Sequence, residues 1–366
     1  MHRYRVALFG TSFGRNVQVP GFRSHPGFEV VAIAGRDAGK TARIAAELGV
    51  PGAYSDWREL LEREKPDLVS IATPVVLHHP MMLGAIAAGA HVHCEKPTAM
   101  DRFQAAEMRD AALAAGRVAG INHEFRVQPA RAVARALVRA GAIGRPRRGT
   151  IVGRYALWTT PASRGPTWLS DAAQGGGILG ALGSHHVDAL RTIFGEPRSA
   201  RGSVRVDQPR RGPVEPGGPS GLATADDACT FELEFDGGAT ALVDLSACSP
   251  YREERHEIRG EEASLRWDAA GLRLWRIAPG REIEELEIPA EHALDHREGE
   301  PPLVAPFREM VARLHRAIDG GEALEPSFAI DAVAVQSVLD AVRESSGTRA
   351  SAEVRVPGRG ERPAPA

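Results

Sequence analysis

Residues 4–15 of the chain read YRVALFGTSFGR, an apolar run that ends in a glycine-containing turn. Similar apolar runs recur through the first third of the sequence, at 4–9, 28–34, 68–72, 91–95 and 118–121. Helix-forming stretches lie between or after them, at 40–48, 76–88 and 101–115. Strands that alternate with helices are typical of a parallel sheet with helices on both faces. The first third therefore predicts an α/β domain whose ligands bind at the carboxyl ends of the strands.

The pattern changes after residue 122. Helical periodicity follows Pro129 and returns over 178–193, and a strand is predicted beyond Gly144. From about residue 198 onward, apolar runs follow one another without helices between them. The second part of the chain is therefore predicted to be an α+β domain.

Residues 229–235 alternate apolar and polar side chains, and a turn at 236–238 leads into a second strand at 239–247. This pattern predicts a hairpin in an antiparallel sheet with one apolar face. The polar face is expected to meet solvent or a partner subunit. Residues 208–224 are rich in proline and glycine and predict a loop excursion.

The composition argues against several classes of function. The chain has 366 residues, enough for two domains, and its formal net charge of −2 gives no basic surface for nucleic acid. Its three cysteines include no Cys-x-x-Cys pair, which favours a reducing compartment over a disulfide framework. The apolar stretch near the N-terminus is too short for a secretory signal or a membrane span. We therefore expect a cytoplasmic protein that acts on a small molecule, without nucleic-acid or membrane partners.

The turn after the first strand lies where a dinucleotide fold binds phosphate. It is a degraded match to Gly-x-Gly-x-x-Gly. Gly10 occupies the first glycine position, but Ser12 and Arg15 occupy the second and third. Phe13 and Gly14 lie between Ser12 and Arg15. Serine is small and can donate a hydrogen bond, so phosphate binding remains compatible with this loop. The alternative is an ordinary strand-to-helix turn.

Gly35, Arg36 and Asp37 follow the second strand. An acidic side chain in place of Gly35 would hold the ribose hydroxyls of NAD, whereas Arg36 could pair with the 2′-phosphate of NADP. Such a charge-assisted contact contributes about 1.5–3 kcal/mol, or roughly 10- to 150-fold in cofactor preference. The sequence favours NADP(H) and leaves NAD(H) open. The alternative is a solvated Arg36 beside a helix cap at Asp37.

Lys96 is one of only three lysines in an arginine-rich chain, and it lies in the run Glu95-Lys96-Pro97. Arginine stays protonated in proteins, whereas a lysine amine can transfer a proton. We therefore predict that Lys96 donates or accepts a proton in catalysis. The alternative is a solvated lysine before a turn-forming proline. No metal is expected, because His185 and His186 would point about 100° apart on a helix and His123 shows no ligand spacing to them.

Several motifs follow in a fixed order: Ile71-Ala72-Thr73-Pro74, His78, Gly89-Ala90-His91-Val92, Glu95-Lys96-Pro97, Gly175-Gly176-Gly177 and Gly183-x-His185-x-x-Asp188. Together they resemble the Gfo/Idh/MocA oxidoreductases over about residues 4–356. The resemblance implies an α/β Rossmann domain followed by an α+β domain with an open, mostly antiparallel sheet. It also implies NAD(P)-dependent hydride transfer on a sugar, a polyol or a related carbonyl compound.

The resemblance also implies roles for individual residues. The residues implied at the cofactor pyrophosphate are Gly10, Ser12 and Phe13. Those implied beside the rest of the cofactor are Ala72, Thr73, Pro74 and His78, with Glu95 and Lys96 at the nicotinamide and the reacting carbon. Gly14, Arg15 and Arg36 complete the expected cofactor-binding set.

The chain departs from the family pattern after the triple glycine, where the usual Asp-x-x-x-His pair has Ala181 in place of the aspartate. We still expect His185 in the active site, as a proton partner or as a hydrogen bond to a substrate hydroxyl. Asp188 is expected to be structural. The residues expected either to contact substrate or to pack are Asn122, His123, Arg126 and Trp168.

The predicted domains are a dinucleotide-binding Rossmann domain at 1–122, a substrate-binding and oligomerisation domain at 123–356 and a disordered tail at 357–366. A homo-oligomer, either a dimer or a tetramer, is expected to form through the open sheet. Two other functions stay open. One is a redox-neutral enzyme in which tightly held NAD oxidises a sugar transiently before elimination or hydrolysis. The other is a catalytically silent NADP(H)-binding sensor, against which the retained Lys96 argues.

Overall fold

The structure, a computed structural model, describes residues 2–361. This part of the chain forms two compact units. The first contains residues 2–124, 294–333 and 357–361, and the second contains residues 125–293 and 334–356. Each unit has an apolar core of its own.

The first unit is built on a parallel sheet. Its strands are β1 (Tyr4–Phe9), β2 (Phe28–Ala34), β3 (Gly52–Tyr54), β4 (Leu68–Ile71), β5 (His91–Cys94) and β6 (Ala119–Ile121). They lie in the order β3-β2-β1-β4-β5-β6, and each neighbouring pair is parallel. The strand order reverses beside β1, which is where ligands bind in folds of this kind.

Apolar side chains cover both faces of this sheet. Along β1, Ala7 and Phe9 belong to one buried cluster and Val6 and Leu8 to another, as the alternation of side chains along a strand requires. The helices that follow the strands are α1 (Val19–Arg23), α2 (Ala38–Leu48), α3 (Trp57–Glu64), α4 (His78–Ala87) and α5 (Arg102–Ala114).

The predicted strands at 4–9 and 28–34 are confirmed to the residue. Sequence reasoning missed β3 and α3. A three-residue strand is too short to show a period, and the eight residues of α3 are mostly charged, with only Leu60 and Leu61 buried.

The second unit contains a mixed sheet. Its strands and those of a small neighbouring hairpin are β7 (Pro146–Ala156), β8 (Pro197–Arg205), β9 (Arg210–Arg211), β10 (Gly221–Leu222), β11 (Ala228–Phe235), β12 (Thr240–Ser246), β13 (Cys248–Gly260), β14 (Ser264–Trp267), β15 (Leu274–Ile277), β16 (Glu284–Leu286) and β17 (Ala352–Glu353). The sheet order is β16-β15-β14-β13-β7-β12-β11-β8-β17, and β7 with β12 is the parallel pair. The remaining neighbours are antiparallel, which confirms the predicted fold class.

The predicted hairpin is β11 and β12, in which Phe231 lies opposite Val243 and both are buried. The predicted loop excursion at 208–224 contains the short antiparallel pair β9 and β10. The predicted helices of this unit are α6 (Pro129–Arg139) and α7 (Ser184–Phe194), and a π-helical turn (Leu179–Gly183) leads directly into α7.

Two long helices, α8 (Val304–Gly320) and α9 (Val333–Thr348), lie near the end of the chain. The division at residue 122 placed α8 in the second domain, but α8 belongs to the first unit. Phe307 of α8 packs edge-on against Phe22, with ring centroids 5.5 Å apart, and shares a buried cluster with β1 and β2. The apolar face of α8 is thus covered by β1, β2 and Phe22, which lie near the opposite end of the sequence.

The predicted disorder at 357–366 is wrong for residues 357–361, and residues 362–366 lie outside the described part. Arg109 on α5 donates to the carbonyl oxygens of Pro357 and Gly358, at 3.2 and 2.9 Å, and Gly360 N donates to Asp110. These hydrogen bonds fix the segment to α5. None of the helices between residues 2 and 361 is long and apolar enough to cross a membrane.

Candidate functional site

The carboxyl ends of four neighbouring strands meet at one edge of the parallel sheet. Backbone hydrogen bonds continue the sheet by one residue beyond the strands: Ala72 N donates to Phe9 O at 2.7 Å, Glu95 N to Ile71 O at 2.9 Å and Asn122 N to Cys94 O at 2.8 Å. The structure therefore brings together the segments that begin at Gly10, Ala72, Glu95 and Asn122. These segments contain most of the residues predicted to bind the cofactor.

Gly10 cannot be replaced by a larger residue without moving the backbone. Its φ is +117°, and a Cβ there would lie 2.2 Å from the carbonyl oxygen of Ala72. The following turn exposes Ser12 and leads into a π-helical turn (Gly14–Gln18). Arg15 points elsewhere, since its guanidinium pairs with Glu47 of α2 at 2.8 Å. The turn thus leaves backbone and a small hydroxyl side chain open to a phosphate group.

Gly35, at the end of β2, leaves little space for a side chain. A Cβ there would lie 2.6 Å from Thr11 Cγ2 and 2.7 Å from Thr41 Oγ1, so an acidic residue would require both threonines to move. Asp37 caps α2 by accepting from Lys40 N at 2.8 Å. Arg36 is exposed, and its side chain has no hydrogen-bond or ion-pair partner within residues 2–361. The cation beside β2 is therefore available to a ligand.

Glu95 is buried and held by two side-chain amides. Its Oε1 accepts from Gln18 Nε2 at 3.0 Å and from Asn122 Nδ2 at 2.7 Å. Burial, followed by the neighbouring Glu124 carboxylate, raises the pKa of Glu95 to about 8. Lys96, half-buried, acts in the opposite direction on this pKa. A carboxyl group that titrates near neutral pH therefore lies beside the predicted proton carrier.

His78, predicted to lie beside the cofactor, is 1 % exposed. Its Nε2 lies 3.0 Å from Thr73 O and its Nδ1 lies 3.1 Å from Pro97 O. Burial lowers the pKa of His78 to about 4, against the raising effect of these carbonyl contacts. The ring therefore contacts the backbone of two segments, at Thr73 and at Pro97, and is nearly inaccessible to solvent.

His185 lies in the first turn of α7 and is 2 % exposed. Its ring stacks on Phe125, with centroids 4.0 Å apart and an interplanar angle of 13°. The Arg131 guanidinium lies 5.1 Å from the centroid of the same Phe125 ring. Phe125 thus fixes the plane of the imidazole from within the second unit.

Asp188, one helical turn after His185, forms a buried ion pair with Arg126. Arg126 Nε donates to Asp188 Oδ2 at 3.0 Å, and its Nη2 donates to Oδ1. Both side chains are at most 3 % exposed. Of the two roles expected for Arg126, substrate contact or packing, this buried bidentate contact favours the structural one.

The triple glycine fixes the segment that precedes α7. Gly177 has a φ of +116°, and a Cβ there would lie 2.2 Å from Asp226 Oδ1, while a Cβ on Gly176 would lie 2.5 Å from the carbonyl oxygen of Trp168. Asp226 Oδ2 in turn accepts from Leu179 N at 2.8 Å. The glycines therefore allow Asp226 to hold the π-helical turn that carries Ala181 and leads to His185.

The remaining predicted substrate residues lie in different units. Asn122 and His123 are buried in the first unit, and the side-chain amide of Asn122 donates to Glu95. Trp168 is half-buried in a short helical turn of the second unit. Across the described residues, no group of three or more His, Cys, Asp or Glu side chains could hold a metal ion.

Sequence reasoning missed Gln18, whose side chain links two strands. Its Oε1 accepts from Ser70 Oγ of β4 at 3.0 Å while its Nε2 donates to Glu95. The one available signal was the occurrence of polar residues, Ser70 and His93, inside otherwise apolar strands. Polar side chains that are fully buried need hydrogen-bond partners, but the sequence does not say which.

Comparison with known proteins gives two family matches. Residues 4–123 match the family model described as an oxidoreductase family with an NAD-binding Rossmann fold. Residues 132–266 match the model of the GFO/IDH/MocA C-terminal domain.

Named relatives act on sugars. The chain is 31 % identical to D-apiose dehydrogenase of Paraburkholderia graminis over 274 residues, which covers 73 % of this chain and 68 % of the relative. It is 28 % identical to 1,5-anhydro-D-fructose reductase of Ensifer adhaerens over 321 residues, covering 86 % and 88 %. The crystal structure of an oxidoreductase domain protein from Kribbella flavida superposes with a TM-score of 0.86 at 29 % identity, covering 97 % of this chain and all of that one.

Proposed function

The chain belongs to the Gfo/Idh/MocA family of oxidoreductases, and on that basis we propose that it transfers hydride between a nicotinamide cofactor and a sugar or polyol, with Lys96 as the proton carrier. The observation that carries this proposal is the single sheet edge at which Gly10, Ala72 and Glu95 follow adjacent strands. The sugar-active relatives support the substrate class.

The cofactor, when bound, supplies or accepts the hydride at its nicotinamide ring. The groups that would hold it are the Gly10 turn with Ser12, the 72–74 segment and the loop at Glu95. The close approach of Gly10 to Ala72, which a Cβ would block, fits a backbone turn that packs against a dinucleotide.

Lys96 Nζ is proposed to handle the hydroxyl proton. In reduction, the carbonyl carbon gains a hydride and the carbonyl oxygen takes a proton from the Lys96 ammonium, which leaves a neutral amine and an alcohol. In oxidation, the neutral amine removes the proton from the hydroxyl group as hydride leaves the carbon. Glu95 lies next in the chain to this amine and titrates near neutral pH, so it is placed to adjust the charge around it.

We propose that the cofactor is NADP(H) in preference to NAD(H). Three observations support this choice. An acidic side chain at Gly35 would require Thr11 and Thr41 to move, Asp37 is engaged as a helix cap, and Arg36 is exposed beside the same strand end. A guanidinium in this position matches a phosphate better than it matches a hydroxyl pair.

His185 is proposed to act as a neutral hydrogen-bonding group for a substrate hydroxyl, since Ala181 provides no carboxylate to stabilise its charged form. His123 and Trp168 remain proposed substrate contacts. Arg126 and Asn122 are reassigned to supporting roles, because their side chains donate to Asp188 and Glu95.

We also propose a homo-oligomer formed through the polar face of the second unit's sheet. That face carries paired charges, with Arg154 bound to Asp244 and Arg148 lying 3.5 Å from the half-exposed Glu232. Light scattering on the eluting protein should give two or four times the chain mass. A mass equal to one chain at micromolar concentration would contradict this proposal.

The central experiment is a screen of sugars, inositols and their keto forms against NADP(H) and NAD(H), followed by absorbance at 340 nm. A substrate-dependent change at 340 nm supports the proposed reaction. A sugar that is consumed without net change at 340 nm favours the redox-neutral alternative. Tight NADPH binding with no turnover of any compound favours the silent sensor.

A further inference from the structure

The imidazole of His78 lies between the two loops that contain the proposed site. The Thr73 carbonyl belongs to the loop after β4, and the Pro97 carbonyl belongs to the loop that carries Lys96. Backbone hydrogen bonds join β4 and β5 as far as Ile71 and Glu95, where Glu95 N donates to Ile71 O. Beyond that point, the His78 ring bridges the next residues of the two loops.

The protonation state of the His78 ring determines whether it can donate to one of the two carbonyl oxygens or to both. Carbonyl oxygens only accept hydrogen bonds, and a neutral imidazole has one N–H and one bare nitrogen. A singly protonated ring therefore donates to one loop and turns a lone pair toward the other carbonyl, whereas a doubly protonated ring donates to both. The contacts at 3.0 and 3.1 Å are both within hydrogen-bond range, so the ring is close enough to hold either loop.

We propose that His78 is a positioning residue that fixes the Lys96 loop through the carbonyl of Pro97, rather than a group that contacts the cofactor. Two observations support this: both ring nitrogens face protein backbone, and the side chain is 1 % exposed. The catalytic consequence rests on the proposed role of Lys96, because the ring can affect turnover only by placing that amine. A displacement of about 1 Å can cost on the order of 100-fold in rate.

The small number of lysines permits a test that needs no substrate. Reductive methylation with ¹³C-formaldehyde labels Lys40, Lys65 and Lys96, which keep their charge, and a Lys96→Met variant identifies the Lys96 signal in the ¹³C–¹H spectrum. In His78→Phe, which fills the volume without a donor, the Lys96 signal should move by more than its linewidth while the other two stay in place. His79→Phe is the matched control, because the adjacent His79 ring forms a hydrogen bond with the Glu107 side chain and not with the Lys96 loop.

His78→Gln keeps one donor and should move the Lys96 signal less than His78→Phe does. If the phenylalanine variant fails to fold, His78→Leu, which also lacks a donor, takes its place. A Lys96 signal that stays within its linewidth in the folded donor-free variant, or that moves as far in His78→Gln as in that variant, overturns the positioning role. NADPH affinity, measured by protein fluorescence, should change less than threefold in His78→Gln, and a loss of tenfold or more would instead assign the ring to cofactor binding.

A double-mutant cycle separates this proposal from the proposed reaction. With a substrate from the screen, His78→Phe should lower kcat about 10- to 100-fold in the wild-type background and less than twofold in Lys96→Met. Additive effects would overturn the coupling between His78 and Lys96. If Lys96→Met itself turns over normally while the Lys96 signal still moves in His78→Phe, the proposed reaction fails and the structural bridge stands.

Discussion

Replacing Glu95 by glutamine should stabilise the protein, and should do so more strongly as the pH rises. The buried Glu95 side chain has a pKa of about 8, raised first by burial and then by Glu124. Glutamine has the same shape and keeps the oxygen that accepts from Gln18 and Asn122. It removes the ionisable group, so that folding no longer requires this side chain to take up a proton.

The magnitude follows from the difference between the folded and unfolded states. An unfolded glutamate titrates near pH 4.3, so the folded protein holds this proton more tightly than the unfolded chain. A raised folded-state pKa gives stability that is fully present below about pH 4.3 and is lost as the pH rises toward 8. The loss reaches about 1 kcal/mol at pH 5 and about 3 to 4 kcal/mol at pH 7. Glu95→Gln should therefore gain roughly 2 to 3 kcal/mol more over the wild type at pH 7 than at pH 5.

The assay is guanidinium unfolding of the cofactor-free protein at pH 5, 6, 7 and 8, followed by circular dichroism. Glu62→Gln on the exposed face of α3 serves as the control and should not change with pH relative to the wild type. A stability difference between Glu95→Gln and wild type that is flat from pH 5 to pH 8 would show that folding does not raise the pKa of Glu95. So would a variant that is less stable than the wild type at pH 8.

Three further changes test the proposed chemistry. Lys96→Met should lower kcat by roughly 10²–10⁴-fold while NADPH still binds, and Lys96→Arg should not restore it; near-normal turnover of the arginine enzyme would leave Lys96 only an electrostatic role. NADPH should bind at least tenfold more tightly than NADH, and Arg36→Glu should narrow or reverse that ratio in fluorescence titrations; equal affinities in the wild type would mean that Arg36 is merely solvated. His185→Asn, which keeps a donor, should retain kcat within about tenfold, and a collapse of 100-fold or more with KM unchanged would make His185 an essential acid–base group.

The first 34 residues illustrate what can be derived from local sequence. Mostly apolar runs predicted β1 and β2 to the residue, because the part of a strand that is buried on both faces needs apolar side chains at successive positions. Gly10 was predicted to lie in the turn after β1, and the structure shows that a Cβ there would approach Ala72 O too closely. These features depend on neighbours a few residues apart, so the sequence displays them directly.

The motifs also placed the predicted site residues at strand ends, and the structure brings those strand ends together. Ala72, Glu95 and Asn122 each follow an apolar run, and in a parallel sheet such positions meet at one edge. The order of the elements is enough to predict this edge, without the contacts of any side chain.

The Rossmann architecture, the alternating hairpin of the second unit and the candidate proton carrier Lys96 can be predicted from the sequence alone, because period, glycine placement and amine chemistry are properties of short segments. The contact of Gln18 with Glu95 from 77 residues away, the position of His78 between two backbone carbonyls and the packing of α8 into the core of the first unit became apparent only in the folded chain. A buried polar group must find a partner and a helix must cover its apolar face, but neither requirement identifies the distant residue that meets it. The packing of the whole chain determines which distant residue becomes the partner.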